Sequence, residues 1–374
     1  MKKFSFKQFV GTVSGVLLLS STILSTAEPI EVVLPAPTGT FSVGTKAFEL
    51  CDCSRTQLRG SGKRRWMVQA WYPAEHVQDS TFDYMPETLP NSLVNGVKVR
   101  AHAQPNAALK KDGRFPLIIF QHGFGEVRQS YTILCEELAS HGFIVLSLDQ
   151  PYNASFIRFS SGDHCVPTAY DIWKLTNDRE YRYSFFDECM KESIGDILYI
   201  LSHLTTITSK YFNSQIQTNF ITLIGHSFGG NVAHTLGFKN PLIKAIVDID
   251  SKVTEKEIYG HIGVPENNIK KPVLFIRSNQ YQDDVKNLRS VPNANVIDFN
   301  VQHSAFRDIA YLVNYIPSLR NQTFFAKLWN WFWLKGPLFD PVDTSIENYS
   351  VANWFSTYRS TITSWLSNQQ KTVS

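Results

Sequence analysis

Between residues 116 and 299 the chain alternates two patterns: short continuous apolar runs, and stretches where apolar residues recur every three or four positions. Pro116 to Gln121 and Phe143 to Leu148 are runs of the first kind and predict strands buried on both faces. Phe220 to Ile224, Lys244 to Asp250, Pro272 to Ile276 and Asn295 to Phe299 read the same way. Between them, Tyr131 to His141 has helical spacing with Gly142 as its cap, and Glu188 to His203 places Ile194, Ile197, Leu198 and Leu201 on one helical stripe. A further helix runs to about Phe238. Upstream, Arg65 to Tyr72 alternates as a strand does, whereas residues 75–113 are polar, punctuated by Pro and Gly, and read as loops. Residues 151–184 break the rhythm with an aromatic, irregular, lid-like insertion.

Strand–helix alternation of this kind predicts an α/β fold: one domain over 28–374, with a mostly parallel central sheet and helices on both faces. No internal repeat or low-complexity tract interrupts it. One junction carries chemistry. Phe220-Ile221-Thr222-Leu223-Ile224 runs into Gly225-His226-Ser227-Phe228-Gly229-Gly230, and a helical pattern follows. A Gly-x-Ser-x-Gly pentapeptide between a strand and a helix is the sequence form of a nucleophile elbow, a tight turn that lifts a serine hydroxyl out of the sheet. It points to acyl transfer.

Serine needs a base, and the base needs an acid to fix its tautomer. In this arrangement the chain order is serine, acid, histidine. His303 follows the last predicted strand. The other histidine after the elbow helix, His261, adjoins no strand. For the acid, the turn after Pro272–Ile276 is a common place, but it reads Arg277-Ser278-Asn279-Gln280-Tyr281-Gln282, with no carboxylate. Asp250, at the C-terminal end of the preceding strand, is the leading candidate. Asp248 two residues deeper, and Asp283 or Asp284 further on, are the alternatives. The oxyanion would take one N–H from Phe228 and one from Phe124, in the loop His122-Gly123-Phe124-Gly125 after a buried strand. His122 and His226 read as structural residues.

Composition adds a compartment and removes partners. The 374 residues are 43% hydrophobic and 18% charged, an ordinary globular balance. The first 27 residues hold Lys2, Lys3 and Lys7, an apolar core from Val10 to Leu24, and small residues Ser25-Thr26-Ala27, the form of a Sec signal peptide. Secretion or a periplasmic location is the expectation. Those lysines account for the whole net charge of +3, so the remainder is balanced and nothing suggests nucleic acid. No spacing of His, Cys or acids suggests a metal, and no motif suggests a cofactor. Of the five cysteines, Cys165 and Cys189 lie close enough in sequence to pair; Cys51 and Cys53 are too close for an ordinary bridge, and Cys135 stands apart. Residues 322–336 form an apolar stretch with Trp329, Trp331 and Trp333, read as either a packed helix or one that meets a lipid interface. Trp365 and Leu366 read as core contacts of a last helix.

Four stretches resemble the secreted and type II platelet-activating-factor acetylhydrolases, a branch of the α/β-hydrolases. They are Pro116 to Gly125, Leu138 to Val145, Gly225 to Gly230, and Pro272 to Gln282 with Tyr281 where other hydrolases carry the acid. A His-x-x-Phe-x-Asp pattern at His303, Phe306 and Asp308 adds to them, and the likeness runs from about residue 39 to 366. The resemblance implies an α/β-hydrolase fold with its acid at Asp250. It also implies hydrolysis of short or oxidised sn-2 acyl esters of phospholipids, without calcium or cofactor. The family has a single Asp at that strand end, whereas Asp248 and Asp250 both stand here. A general short-chain carboxylesterase or polyester hydrolase is the enzymatic alternative, and a secreted binding protein on the same scaffold the non-enzymatic one.

Overall fold

The computed structural model describes residues 30–59, 61–76, 81–84, 97–252, 271–279, 288–289, 293–312, 314–315 and 350–373. The expected leader over 1–27, the stretch over 322–336 with Trp329, Trp331 and Trp333, and His261, Tyr281, Asp283 and Asp284 lie outside them.

In chain order the first strands are β1 (Ile30–Val33), β2 (Ser42–Thr56), β3 (Lys63–Ala74), β4 (Phe82–Asp83), β5 (Val97–Ala101), β6 (Gln104–Pro105) and β7 (Phe115–Gln121). Helix α1 (Thr132–Ser140), β8 (Ile144–Asp149), β9 (Ile157–Arg158), β10 (His164–Cys165), α2 (Ala169–Asn177), α3 (Arg179–Ser202) and α4 (Leu204–Phe212) follow. The chain continues through β11 (Ile216–His226), α5 (Phe228–Lys239), β12 (Ile243–Ile249), β13 (Val273–Arg277), β14 (Ala294–Asp298), α6 (Asp308–Leu312) and α7 (Val351–Val373). Nine strands form one sheet in the order β14-β13-β12-β11-β7-β8-β3-β2-β6. From β14 to β8 every pairing is parallel, and β3 then runs antiparallel to both β8 and β2.

The continuous apolar runs are explained by cover on both faces. Along β7, Leu117 and Ile119 pack into one core with α3, α4 and α5, while Ile118 and Phe120 pack into a second core with α1 and α7. Ile246 and Val247 of β12 divide the same way. Successive side chains of a strand point to opposite faces, so a strand between two helical layers is apolar at every position. From β7 the chain moves to β8 on one side, and β11 lies on the other. That makes the C-terminal ends of β7 and β11 a topological switch point, where open α/β sheets place their sites.

The insertion is more regular than its composition suggests. A two-strand hairpin, β9–β10, leads to α2, whose Thr168 and Asp171 form a reciprocal capping box, and α3 starts at Arg179 rather than Glu188. Tyr and Phe on the first turns of α3 obscured its period. Arginines fasten these helices to the β2–β3 hairpin. Arg59 meets Asp171 at 3.2 Å, Tyr181 Oη at 2.9 Å and Glu188 at 2.7 Å, and the buried Arg64 meets Asp196 at 3.0 and 2.6 Å. Cys165 and Cys189, close enough in sequence to pair, are not bridged. Cys165 packs beside Ile157 and Phe159, Cys189 faces the main core from α3, and all five cysteines are free thiols.

The last helix closes the second core, with Trp354, Tyr358, Ile362 and Leu366 buried on one face and Trp354 Nε1 donating to the Ala305 carbonyl at 2.9 Å. Leu366→Ala is expected to lower unfolding free energy by about 2–5 kcal/mol, read from urea denaturation.

Candidate active site

The turn between β11 and α5 is made by residues without room for side chains. A Cβ on Gly225 would lie 2.0 Å from the Gly229 carbonyl oxygen, and one on Gly229 would lie 2.0 Å from the Gln121 carbonyl oxygen. Between them Ser227 has φ 54° and ψ −120°, a conformation an L-residue holds only when its surroundings enforce it. Its N–H donates to the Ile249 carbonyl at 2.9 Å, carrying the β11–β12 ladder one residue past the strand.

The other sequence-predicted residues end up on neighbouring strand ends. His303 opens a 3₁₀ turn, His303–Phe306, after β14, and its Nδ1 lies 2.6 Å from Asp250 Oδ2. Asp250 is fully buried and has left strand geometry, with φ 53°. Its second oxygen, Oδ1, accepts the Ser278 N–H at 2.7 Å. Ser278 sits in the turn after β13, where the acid stands in the commoner arrangement, so that turn supplies a backbone donor instead. A proton held on Nδ1 by the carboxylate leaves Nε2 as the basic nitrogen.

Asp248 occupies a different environment. It lies under α5, where Oδ2 accepts from His234 Nδ1 at 2.9 Å and Ser251 Oγ at 2.5 Å, and Oδ1 accepts from Arg277 Nη1 and the Ser251 N–H, both at 3.1 Å. Arg277 and these hydrogen bonds outweigh burial and hold its carboxyl well below the usual carboxylate range. A Cβ on Gly230 would come within 2.7 Å of Asp248 Oδ1, so the third glycine of the elbow makes room for this network.

The oxyanion loop lies against the serine. A Cβ on Gly123 would be 3.5 Å from Ser227 Cβ and 3.2 Å from His226 Nδ1. Phe228 is the first residue of α5, at the helix N-terminus where backbone N–H groups point outward. The ring of Phe124 meets Phe186 of α3 at 4.9 Å between centroids, and Phe228 meets the same Phe186 at 6.0 Å. Helix α3 thus packs against the side chains of both residues whose N–H groups are the oxyanion candidates.

The contacts of several supporting residues carried no sequence signal. Tyr131 Oη donates to His226 Nδ1 at 2.7 Å, which places the ring proton of His226 on Nε2, directed at the His303 carbonyl 3.2 Å away. Burial drives the His226 pKa well below its usual value and the Tyr131 pKa well above, consistent with a neutral imidazole and an un-ionised donor. Arg307, beyond the base turn, pairs with Glu126, beyond the oxyanion loop. Asp308 bonds the Thr132 and Ile133 N–H groups at 2.6 and 3.2 Å, at the N-terminus of α1, and Tyr84 Oη at 3.0 Å. That contact ties the base turn to the sheet's far helix and gives a physical reason for an Asp at this place in the His-x-x-Phe-x-Asp pattern. Among the described residues no group of His, Cys, Asp and Glu gathers in a metal-ligating cluster.

The model of the family "Platelet-activating factor acetylhydrolase, isoform II" matches residues 27–161. The probable 1-alkyl-2-acetylglycerophosphocholine esterase of Arthroderma benhamiae is 21% identical over 70% of this chain and 69% of its own length. The platelet-activating factor acetylhydrolases of Gallus gallus and Bos taurus are 23% and 26% identical, aligned over 49% and 47% of this chain and 49% and 43% of their own. The chain thus spans about half the length of these vertebrate relatives. A solved ferulic acid esterase from Streptomyces cinnamoneus superposes with a TM-score of 0.68 at 23% identity, covering 91% of this chain and 93% of that one. The sheet order, the elbow and this likeness define an α/β-hydrolase fold. Over residues 27–161 the chain is similar to the platelet-activating factor acetylhydrolase family, and these likenesses together support a carboxylic ester hydrolase.

Asp248→Asn leaves Arg277 buried without its counter-charge, and a loss of about 3–5 kcal/mol in urea denaturation is expected. Because the folded-state pKa of Asp248 is depressed, its stabilisation is present above the unfolded carboxylate pKa and is lost as pH falls through the folded value. The variant is therefore expected to show a shallower acid-side decline than the parent.

Proposed function

We propose that the protein is a secreted serine esterase that removes short or oxidised sn-2 acyl chains from phospholipids. The observation that carries this reading is the 2.6 Å pairing of His303 with Asp250 on the sheet edge where Ser227 is held in its strained turn. Ser227 Oγ attacks the ester carbonyl while His303 Nε2 takes its proton. Asp250 keeps the Nδ1 proton in place and stabilises the imidazolium. The N–H groups of Phe124 and Phe228 receive the oxyanion. The protonated His303 then gives its proton to the departing lysophospholipid oxygen, leaving an acyl-enzyme. Water, deprotonated by His303, frees the acid and restores Ser227. The substrate class follows the printed names of the fungal and vertebrate relatives. Contact with a lipid surface through Trp329, Trp331 and Trp333 belongs to the same proposal and is supported by sequence alone.

Ser227→Ala is expected to abolish hydrolysis, and labelling by an organophosphate, with the far-UV spectrum unchanged. Asp250→Asn is expected to lower kcat by about 10⁴-fold, as a wrong tautomer does in this kind of triad. Full activity in either variant would overturn the mechanism. A series of phospholipids of increasing sn-2 length, run beside p-nitrophenyl esters, tests the substrate: the expected result is a steep fall beyond the shortest chains. Equal rates across the series would favour a general carboxylesterase. Trp329→Ser with Trp333→Ser is expected to weaken liposome binding while hydrolysis of a soluble ester persists.

A further inference from the structure

A cavity of about 180 Å³ lies apart from the Ser227 site; none of Ser227, Asp250 or His303 lines it. Its walls include Thr45 and Gln69 of the β2–β3 hairpin, Tyr84 after β4, and Gln129, Thr132 and Glu136 along α1 and the turn before it. The donors along this wall are already engaged. Thr45 Oγ1 donates to the Ala70 carbonyl at 2.8 Å, Gln69 Nε2 to Thr45 Oγ1 at 2.6 Å, and Gln129 Nε2 to Gln69 Oε1 at 3.4 Å. Thr132 Oγ1 donates to the Gln129 carbonyl at 2.8 Å and Tyr84 Oη to Asp308 at 3.0 Å. Two acceptors are left over. Glu136 Oε2 and Gln129 Oε1 are buried and have no hydrogen-bond partner. A buried acceptor without a donor is costly, so whatever fills the cavity donates hydrogen bonds.

The charges narrow the choice. Glu136 is fully buried, and its Oε1 accepts only backbone donors, the N–H groups of His102 at 2.9 Å and Ala103 at 2.6 Å. Lys46, the cation of the lining, donates its Nζ to the Tyr211 carbonyl, and Arg359 of α7 is paired with Glu137 at 3.3 Å. The His102 ring nitrogen Nε2 meets the Leu34 carbonyl at 2.8 Å, and Tyr84 and Cys135 are kept neutral by burial. Asp308, which lies behind Tyr84 and outside the lining, has its pKa pushed well up by burial and, in smaller part, by Glu136. An anion would meet the Glu136 carboxyl here; a cation with N–H donors satisfies both the charge and the empty acceptor.

We propose that this cavity binds a small protonated amine that carries a second hydrogen-bond donor, an amino alcohol or a diamine, with its ammonium on Glu136 Oε2 and its second donor on Gln129 Oε1. Burial pushes the Glu136 carboxyl up to about 7 in the protein without ligand. Binding needs the ionised form, so affinity rises with pH through that value and falls about tenfold for each unit below it.

The test is calorimetry and thermal denaturation of the full chain with ethanolamine, at pH 8 and at pH 5.5, beside tetramethylammonium, a cation with no donor. The expected result is a rise of several degrees in Tm at pH 8 when ethanolamine greatly exceeds its Kd, with little at pH 5.5 and none from tetramethylammonium. Glu136→Gln keeps an acceptor for the His102 and Ala103 N–H groups and is expected to abolish the shift. Gln129→Met is expected to weaken ethanolamine about tenfold, the worth of one hydrogen bond, while leaving ethylamine unchanged. No heat and no shift up to tens of millimolar ethanolamine would mean that water alone fills the cavity, and would overturn the proposal. So would a shift that survives both substitutions. None of these readouts depends on the esterase reading.

Discussion

The site depends on one close approach: the first turn of α5 sits so near the ends of β7 and β11 that no side chain fits at Gly225 or Gly229. The backbone at Ser227 cannot relax, because relaxing it would pull α5 off the strands beneath. Its strain is paid from the packing of α5 in the main core, where Val232, Ala233 and Leu236 are buried. The chemistry and the fold therefore share one structural element. Loss of either glycine would damage both.

Two aspartates two residues apart show how backbone geometry divides labour. In an unbroken strand Asp248 and Asp250 would share a face. The positive φ at Asp250 ends the strand and swings its carboxylate across β13 to His303, while Asp248, still in the ladder, stays under α5 with Arg277 and His234. The inner acid secures the platform on which the outer one stands. Tyr131, His226 and Asp308 extend this on the other side, linking the base turn to the oxyanion loop and to α1.

The parallel strands were legible because burial on both faces leaves an uninterrupted apolar run. Pro116–Gln121 and Lys244–Asp250 lie within a residue of β7 and β12. The elbow was legible because its glycines have a steric cause. The start of α3 was not, because Tyr181, Phe185 and Phe186 pack against Arg59 and the oxyanion loop rather than along a plain apolar stripe. The long β2 escaped notice too: it lies near the sheet margin, and its burial switches several times between buried and open positions. The reason for an acid at Asp250 was not visible either. It rests on a single backbone dihedral and on a donor at Ser278, neither of which leaves a mark in residue type. The contacts of Tyr131 and Asp308 join segments 95 and 176 residues apart, a range no local pattern reports.

Moving the acid one strand inward has an evolutionary corollary. Among the described residues, the turn after β13 meets Asp250 through the main-chain N–H of Ser278, and a main-chain donor is indifferent to the side chain that carries it. Sequence drift is therefore cheap at a place where related hydrolases must keep a carboxylate. Substitutions at Ser278 that keep its main-chain N–H would leave the Asp250–His303 pair in place.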